Sequence, residues 1–182
     1  MRLYLTFFCC LLMFACQAPD SSNTDETASS SLGKIDFPVE GNAEAKPHFM
    51  RGVAALHNFW YPEALEAFQK ARETDPDFAM AYWGEAMSHN RTFWQVQDKE
   101  AARQVLNELG TSPEERLAKA GSEKEEMFLK SMDILYSETG DKLQRDRAYM
   151  QFMENFYQQY PDDHEVASFY ALSLLGIIRN NQ

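Results

Sequence analysis

From Ala45 onward, apolar residues recur at the three- and four-residue spacing of helices buried along one face, with Gly and Pro as punctuation. No segment sustains the strict alternation of a half-buried strand. The pattern predicts helices near 46–58, 62–74, 78–91, 97–109, 113–120, 123–138, 142–159 and 163–178. Several starts carry their own signal. Ser112-Pro113-Glu114-Glu115 combines a cap, a first-turn proline and a glutamate placed to close a capping box, and Ser122 with Glu125 repeats the spacing. Gly140-Asp141 reads as a C-terminal glycine followed by a new cap. Helix pairs joined by short turns suit an all-α fold of antiparallel helix hairpins stacked side by side.

Ahead of Ala45 the composition changes. Residues 17–44 are rich in Ser, Thr, Asp and Gly and poor in apolar side chains, so they bury too little surface to offset their ordering entropy. They read as a flexible linker. Within it, Ile35, Phe37 and Val39 alternate with polar neighbours, a spacing that can lay them against the first helix. Residues 1–15 hold one charge, Arg2, and a nearly unbroken apolar run from Leu3 to Ala15. That is the layout of a secretory signal, and the run falls short of the roughly 20 apolar residues that span a bilayer.

The end of that run, Met13-Phe14-Ala15-Cys16, resembles the lipobox of bacterial lipoproteins. The resemblance implies that Cys16 is acylated and becomes the first mature residue. Met13 and Phe14 depart from the usual leucine and small residue, and the alternative is an ordinary cleavage near Ala15 or Ala18 that leaves a secreted or periplasmic protein. The lipoprotein reading implies a membrane anchor through the N-terminal lipid, facing the periplasm or the exterior.

A second resemblance lies in the helical body. Tetratricopeptide repeats follow W-x₂-L-G-x₂-Y…A-x₃-F…P over about 34 residues. Residues 45–78 place His48, Arg51, Gly52, Ala55, Ala64, Phe68 and Pro76 at those spacings, and Gly52, Ala64, Phe68 and Pro76 match. His48, Arg51 and Ala55 depart from the pattern, as a terminal capping unit would. Tyr82, Ala86 and His89 start a second unit, and Tyr149, Met153 and Pro161 repeat the spacing of Ala64, Phe68 and Pro76. The interval between Pro76 and Pro161 is not a whole number of repeats, so an irregular insertion is expected near 110–130. Asp162–Ile178 resembles the first helix of a further unit, with Ala167, Tyr170, Ala171 and Leu174 in phase. The chain thus reads as a right-handed, tetratricopeptide-like solenoid over 45–182, irregular in the middle. It is either part of a longer array or capped by this last helix.

The resemblance implies a protein or peptide partner held in the groove lined by the first helix of each hairpin. By position those residues are Phe49, Val53, Leu56, His57, Met80, Trp83, Met87, Asn90 and Arg91; any one of the apolar members can equally be plain core. Phe93 and Trp94 interrupt the repeat. They form either an exposed contact loop or a pair packed beneath an irregular connection.

Composition removes other classes. With 28 acidic against 17 basic residues the net charge is −11, and no basic stripe offsets it, so nucleic acid is not an expected partner. The three cysteines, Cys9, Cys10 and Cys16, all precede the body, which therefore has no disulfide framework or cysteine-bound zinc. No nucleophile elbow, phosphate loop or dinucleotide fingerprint is present, so neither catalysis nor a cofactor is expected. Glu114-Glu115 and Glu123–Glu126 sit on helix starts, where the macrodipole favours carboxylates. Two minority readings remain. His57, Glu85 and His89 form a candidate metal or acid–base trio for an accessory enzyme, and Trp60, Trp83 and Trp94 are candidate stacking faces for a sugar in a solute-binding lipoprotein.

Overall fold

A computed structural model describes residues 32–180, with side chains described to residue 178. The all-α expectation holds: eight α-helices carry the described chain, and one short β-hairpin interrupts them. The helices are α1 (Lys46–His57), α2 (Tyr61–Thr74), α3 (Ala79–Ser88), α4 (Lys99–Leu109), α5 (Pro113–Leu117), α6 (Glu123–Leu135), α7 (Lys142–Gln159) and α8 (His164–Asn180). No helix among the described residues is long and apolar enough to cross a membrane. Cys16 and residues 1–31 lie outside the described residues.

The helix starts follow the sequence signals. Ser112 and Ser122 accept from the backbone N–H of Glu115 and Glu125, each at 3.3 Å. Asp141 and Gln144 form the complete reciprocal box at the start of α7. At α5 and α6 the expected return bond reaches one residue further back. Glu115 accepts from the Thr111 N–H and Glu125 from the Gly121 N–H. Asp163 opens α8 by accepting from the N–H groups of Glu165 and Val166, and it takes a bond from Lys124 at 2.9 Å. Burial opposes the Asp163 charge, but the Lys124 ammonium and the two N–H donors outweigh it and hold the carboxyl below the usual range. A depressed folded value means stability that is present above the unfolded carboxylate range and lost as pH falls through the folded one. Asp163→Asn should therefore flatten the acid limb of a stability-versus-pH curve; an unchanged limb in thermal unfolding rejects the assignment.

The packing centres on aromatic rings. Phe68 of α2 fills the space beside two glycines: a Cβ built on Gly52 of α1 would stand 2.7 Å from its ring, and one on Gly84 of α3 would stand 2.2 Å away. Ala64 and Ala71 are wholly buried along the same face of α2. Further along, Trp83 of α3 meets Phe128 of α6 and Phe169 of α8 edge-on, both at 5.0 Å between ring centres. Helices α2 and α3 contact α1, α7 contacts α6 and α8, and α3 reaches α6.

The linker expected over 16–44 ends earlier than its composition suggests. Residues 32–44 form a non-helical strap laid on the core. Phe37 and Val39 are buried, and the Phe37 ring packs against Phe49 at 5.4 Å, Trp83 at 5.8 Å and Phe128 at 5.0 Å. The buried Glu125 carboxylate fixes the strap from the far side by accepting from the Glu40 N–H at 2.6 Å. The alternation of Ile35, Phe37 and Val39 is the local cause: it gives an otherwise polar segment one apolar edge.

Candidate functional site

Two helix ends and the flank of a third helix converge at one side of the molecule. α1 closes on His57, α3 closes on Ser88, and α8 runs past both. His57 Nε2 lies 2.7 Å from the buried Glu165 carboxylate in the first turn of α8. That pair ties the first helix to the last, and the space left between them is a cavity of about 350 Å³. Leu56, Met87, Leu172 and Leu175 give it an apolar floor and walls, with Phe59, Tyr61 and Phe169 as aromatic sides. Polar atoms come from His57, Asn90 and Ser168. The volume and the few placed polar groups fit a small ligand or one inserted side chain.

Asn90 and Arg91 form β1, which pairs antiparallel with β2 (Val96–Gln97), and a 3₁₀ turn spans Thr92–Trp94 between them. The hairpin is locked inside: Asn90 Nδ2 donates to Thr92 Oγ1 at 3.1 Å, Gln97 Nε2 donates to Asn90 Oδ1 at 3.2 Å, and Arg145 holds Gln97 at 2.9 Å. The turn presses on α8, where Thr92 would stand 3.1 Å from a Cβ placed on Gly176. Of the two readings for Phe93 and Trp94, the structure shows the exposed one: 41% and 53% of their surfaces face solvent.

They are not isolated. Phe59 lies 6.2 Å from Phe93 and 6.0 Å from Trp94, and Tyr61 lies 5.9 Å from Trp94. Arg91 sits 5.7 Å over the Tyr61 ring. Burial pushes the Tyr61 phenol up to about 12 against the pull of Arg91, so it stays neutral. Phe59 and Gln95 adopt φ of 56° and 58°, the only non-glycine residues in the left-handed region among those described. Both stand at this aromatic edge, where such strain is held only by its surroundings.

The nine groove residues expected from the repeat register divide. Leu56, His57, Met87 and Asn90 line the cavity together. Arg91 is exposed and lies over the ring of Tyr61, which lines the cavity. Phe49, Val53, Met80 and Trp83 do not reach it: each is completely buried, so they are core and cannot touch a partner. The apolar face of a first helix is wider than the strip left open, and the inner half of it is spent on packing.

The His57–Glu85–His89 trio is not assembled. His57 is paired with Glu165, while Glu85 is held by Arg72 and by Gln69 at 3.1 Å. No group of three potential ligands that could hold a metal occurs among the described residues. Desolvation lowers the His89 value despite the carboxylates of Asp98 and Glu85, which keeps that ring neutral at neutral pH. Trp83 is equally removed from the sugar-stacking set by burial, which leaves Trp60 and Trp94.

Sequence reasoning missed the α8 wall, namely Ser168, Phe169, Ala171, Leu172 and Leu175, together with Phe59 and Tyr61. The helix itself was visible, but its contact with α1 joins residues more than a hundred positions apart, and no local pattern encodes that. Compared with known proteins, the chain matches no family model, no curated protein and no solved structure.

Proposed function

We propose that this chain is a lipid-anchored protein of the bacterial envelope whose tetratricopeptide-like helical body holds a partner protein by receiving one of its apolar side chains in the cavity between α1, α3 and α8. The cavity carries the reading: four of the residues that the repeat register places on a partner face meet there, with polar groups at its wall. Gly52 and Gly84 both abut Phe68, which supports close-packed hairpins of the repeat type. The function is binding; His57 is committed to Glu165 and serves as a wall and a tie between helices.

Ser168 offers a clean test because it is exposed yet lines the cavity. In Ser168→Trp the indole fills the space without entering the core. A photoreactive phenylalanine analogue at Leu172 should crosslink one defined protein in cells that make the full chain. Ser168→Trp should reduce that product about tenfold, the worth of one well-buried apolar group, with thermal unfolding unchanged. An undiminished crosslink with the cavity filled rejects the reading.

A further inference from the structure

Acidic residues are unevenly placed. The sequence has 28 of them, yet none lies within 45–62, 86–97 or 166–182. The structure brings parts of these stretches together on one side: Leu56 to Tyr61, the hairpin that follows Met87, and α8 from Ser168 to Gly176. The first contributes Phe59, Trp60 and Tyr61, the second the Asn90–Gln97 hairpin, and the third α8. The face they form is aromatic and apolar, with Arg91 at its edge, on a protein with 28 acidic against 17 basic residues. Phe59 and Phe93 are each 41% exposed, Trp60 49%, Trp94 53% and Val96 51%. Together they show on the order of 500 Å² of apolar surface, as much as the largest patch on an ordinary monomer and concentrated in one corner.

The path of the chain adds a second, independent observation. Asn58, the C-cap of α1, donates through Nδ2 to the backbone oxygen of Leu32 at 3.0 Å. Leu32 is the first described residue, so the chain enters the folded body beside the Phe59–Trp60 turn. Fifteen residues separate Cys16 from Leu32. Fully extended, the sixteen steps from Cys16 to Leu32 reach about 58 Å at most. A lipid on Cys16 therefore attaches the body to the bilayer through this corner, the one where the chain enters the fold.

We infer that the aromatic edge of Phe59, Trp60, Phe93 and Trp94 is a membrane-contact surface that settles into the headgroup region of the bilayer holding the Cys16 lipid. The inference rests on the proposed anchor. Trp and Phe gain from that layer because their rings are apolar and large, and the Trp N–H can still meet water or phosphate. Arg91 supplies a cation for lipid phosphate. Carboxylates elsewhere would be repelled by anionic headgroups, which leaves this side as the one that can approach. Phe59 belongs both to this edge and to the lining of the cavity, so a partner seated there is met at the membrane boundary.

The three tryptophans make the test direct. Trp60, next to Phe59 in the chain, and Trp94 are 49% and 53% exposed, and Trp83 is fully buried in the core. The full chain, made with its signal so that it is processed, is placed on vesicles of phosphatidylethanolamine and phosphatidylglycerol containing an acyl-brominated phosphatidylcholine. Bromine should cut tryptophan emission by about half, since two of the three rings sit in the interface. Trp60→Phe/Trp94→Phe, which retains only Trp83, should lose that quenching while keeping the wild-type unfolding curve. Protein that floats with the vesicles but shows no bromine quenching overturns the inference and leaves the anchor standing. Emission shielded from aqueous iodide yet untouched by bromine overturns it in favour of a second copy covering the edge. Protein that does not float removes the anchor, and the inference with it.

Discussion

Replacing Phe37 by alanine is expected to destabilise the protein by about 3–5 kcal/mol, as loss of a buried phenylalanine does when its cavity cannot collapse. Phe37 is wholly buried, and its neighbours Phe49, Trp83 and Phe128 belong to three separate helices held by their own partners. None can move into the vacated space without opening another contact. Lys34→Ala on the same strap, at an exposed position, should stay within about 0.5 kcal/mol of the parent. Urea unfolding of both variants decides the matter. If Phe37→Ala falls within about 1 kcal/mol of the parent, the strap is an accessory to the fold and not part of its core.

Gly84→Ala is the second large effect, with an expected cost of about 3 kcal/mol at the upper end of overpacking. The added methyl would meet the Phe68 ring at 2.2 Å, and the same ring edge already lies against Gly52, so the ring has little room to shift. The cause can be isolated by a double-mutant cycle. Phe68→Leu removes the atoms that collide, so Gly84→Ala/Phe68→Leu should be more stable than the sum of the single changes predicts, by more than about 1 kcal/mol. Additive costs would mean that Gly84 is required for some reason other than its distance from Phe68.

These two experiments probe opposite extremes of what the sequence discloses. The Gly52–Ala64–Phe68–Pro76 spacing is local, and each residue acts on a neighbour within one hairpin, so the helices and the wedged ring were readable from position alone. Gly84 carried a weaker signal: a glycine inside a strongly apolar helix costs stability and so marks a close approach. The strap was obscured because its composition is that of a linker, and three alternating apolar residues are few against so many polar ones. The cavity was half readable. Leu56, His57, Met87 and Asn90 followed from repeat register, but the register could not separate them from Phe49, Val53, Met80 and Trp83. That division depends on how deeply α6 and α8 press in from distant parts of the chain. His57 illustrates the same limit, since Glu85 and His89 share one helix face that His57 on the preceding first helix could meet, whereas Glu165 is its partner in space.

The strap also sets an order of events. Phe37 meets Phe128, and Glu40 meets Glu125, across loops on the order of 90 residues, whose closing entropy is charged before any contact rewards it. The hairpin of α1 and α2 and its junction with α3 depend on near neighbours and can assemble while the rest is still unformed. The strap has no seat until α6 arrives. The segment nearest the start of the described chain is thus among the last to find its place, and an incomplete chain would leave Phe37 and its ring of aromatic neighbours open to unwanted association.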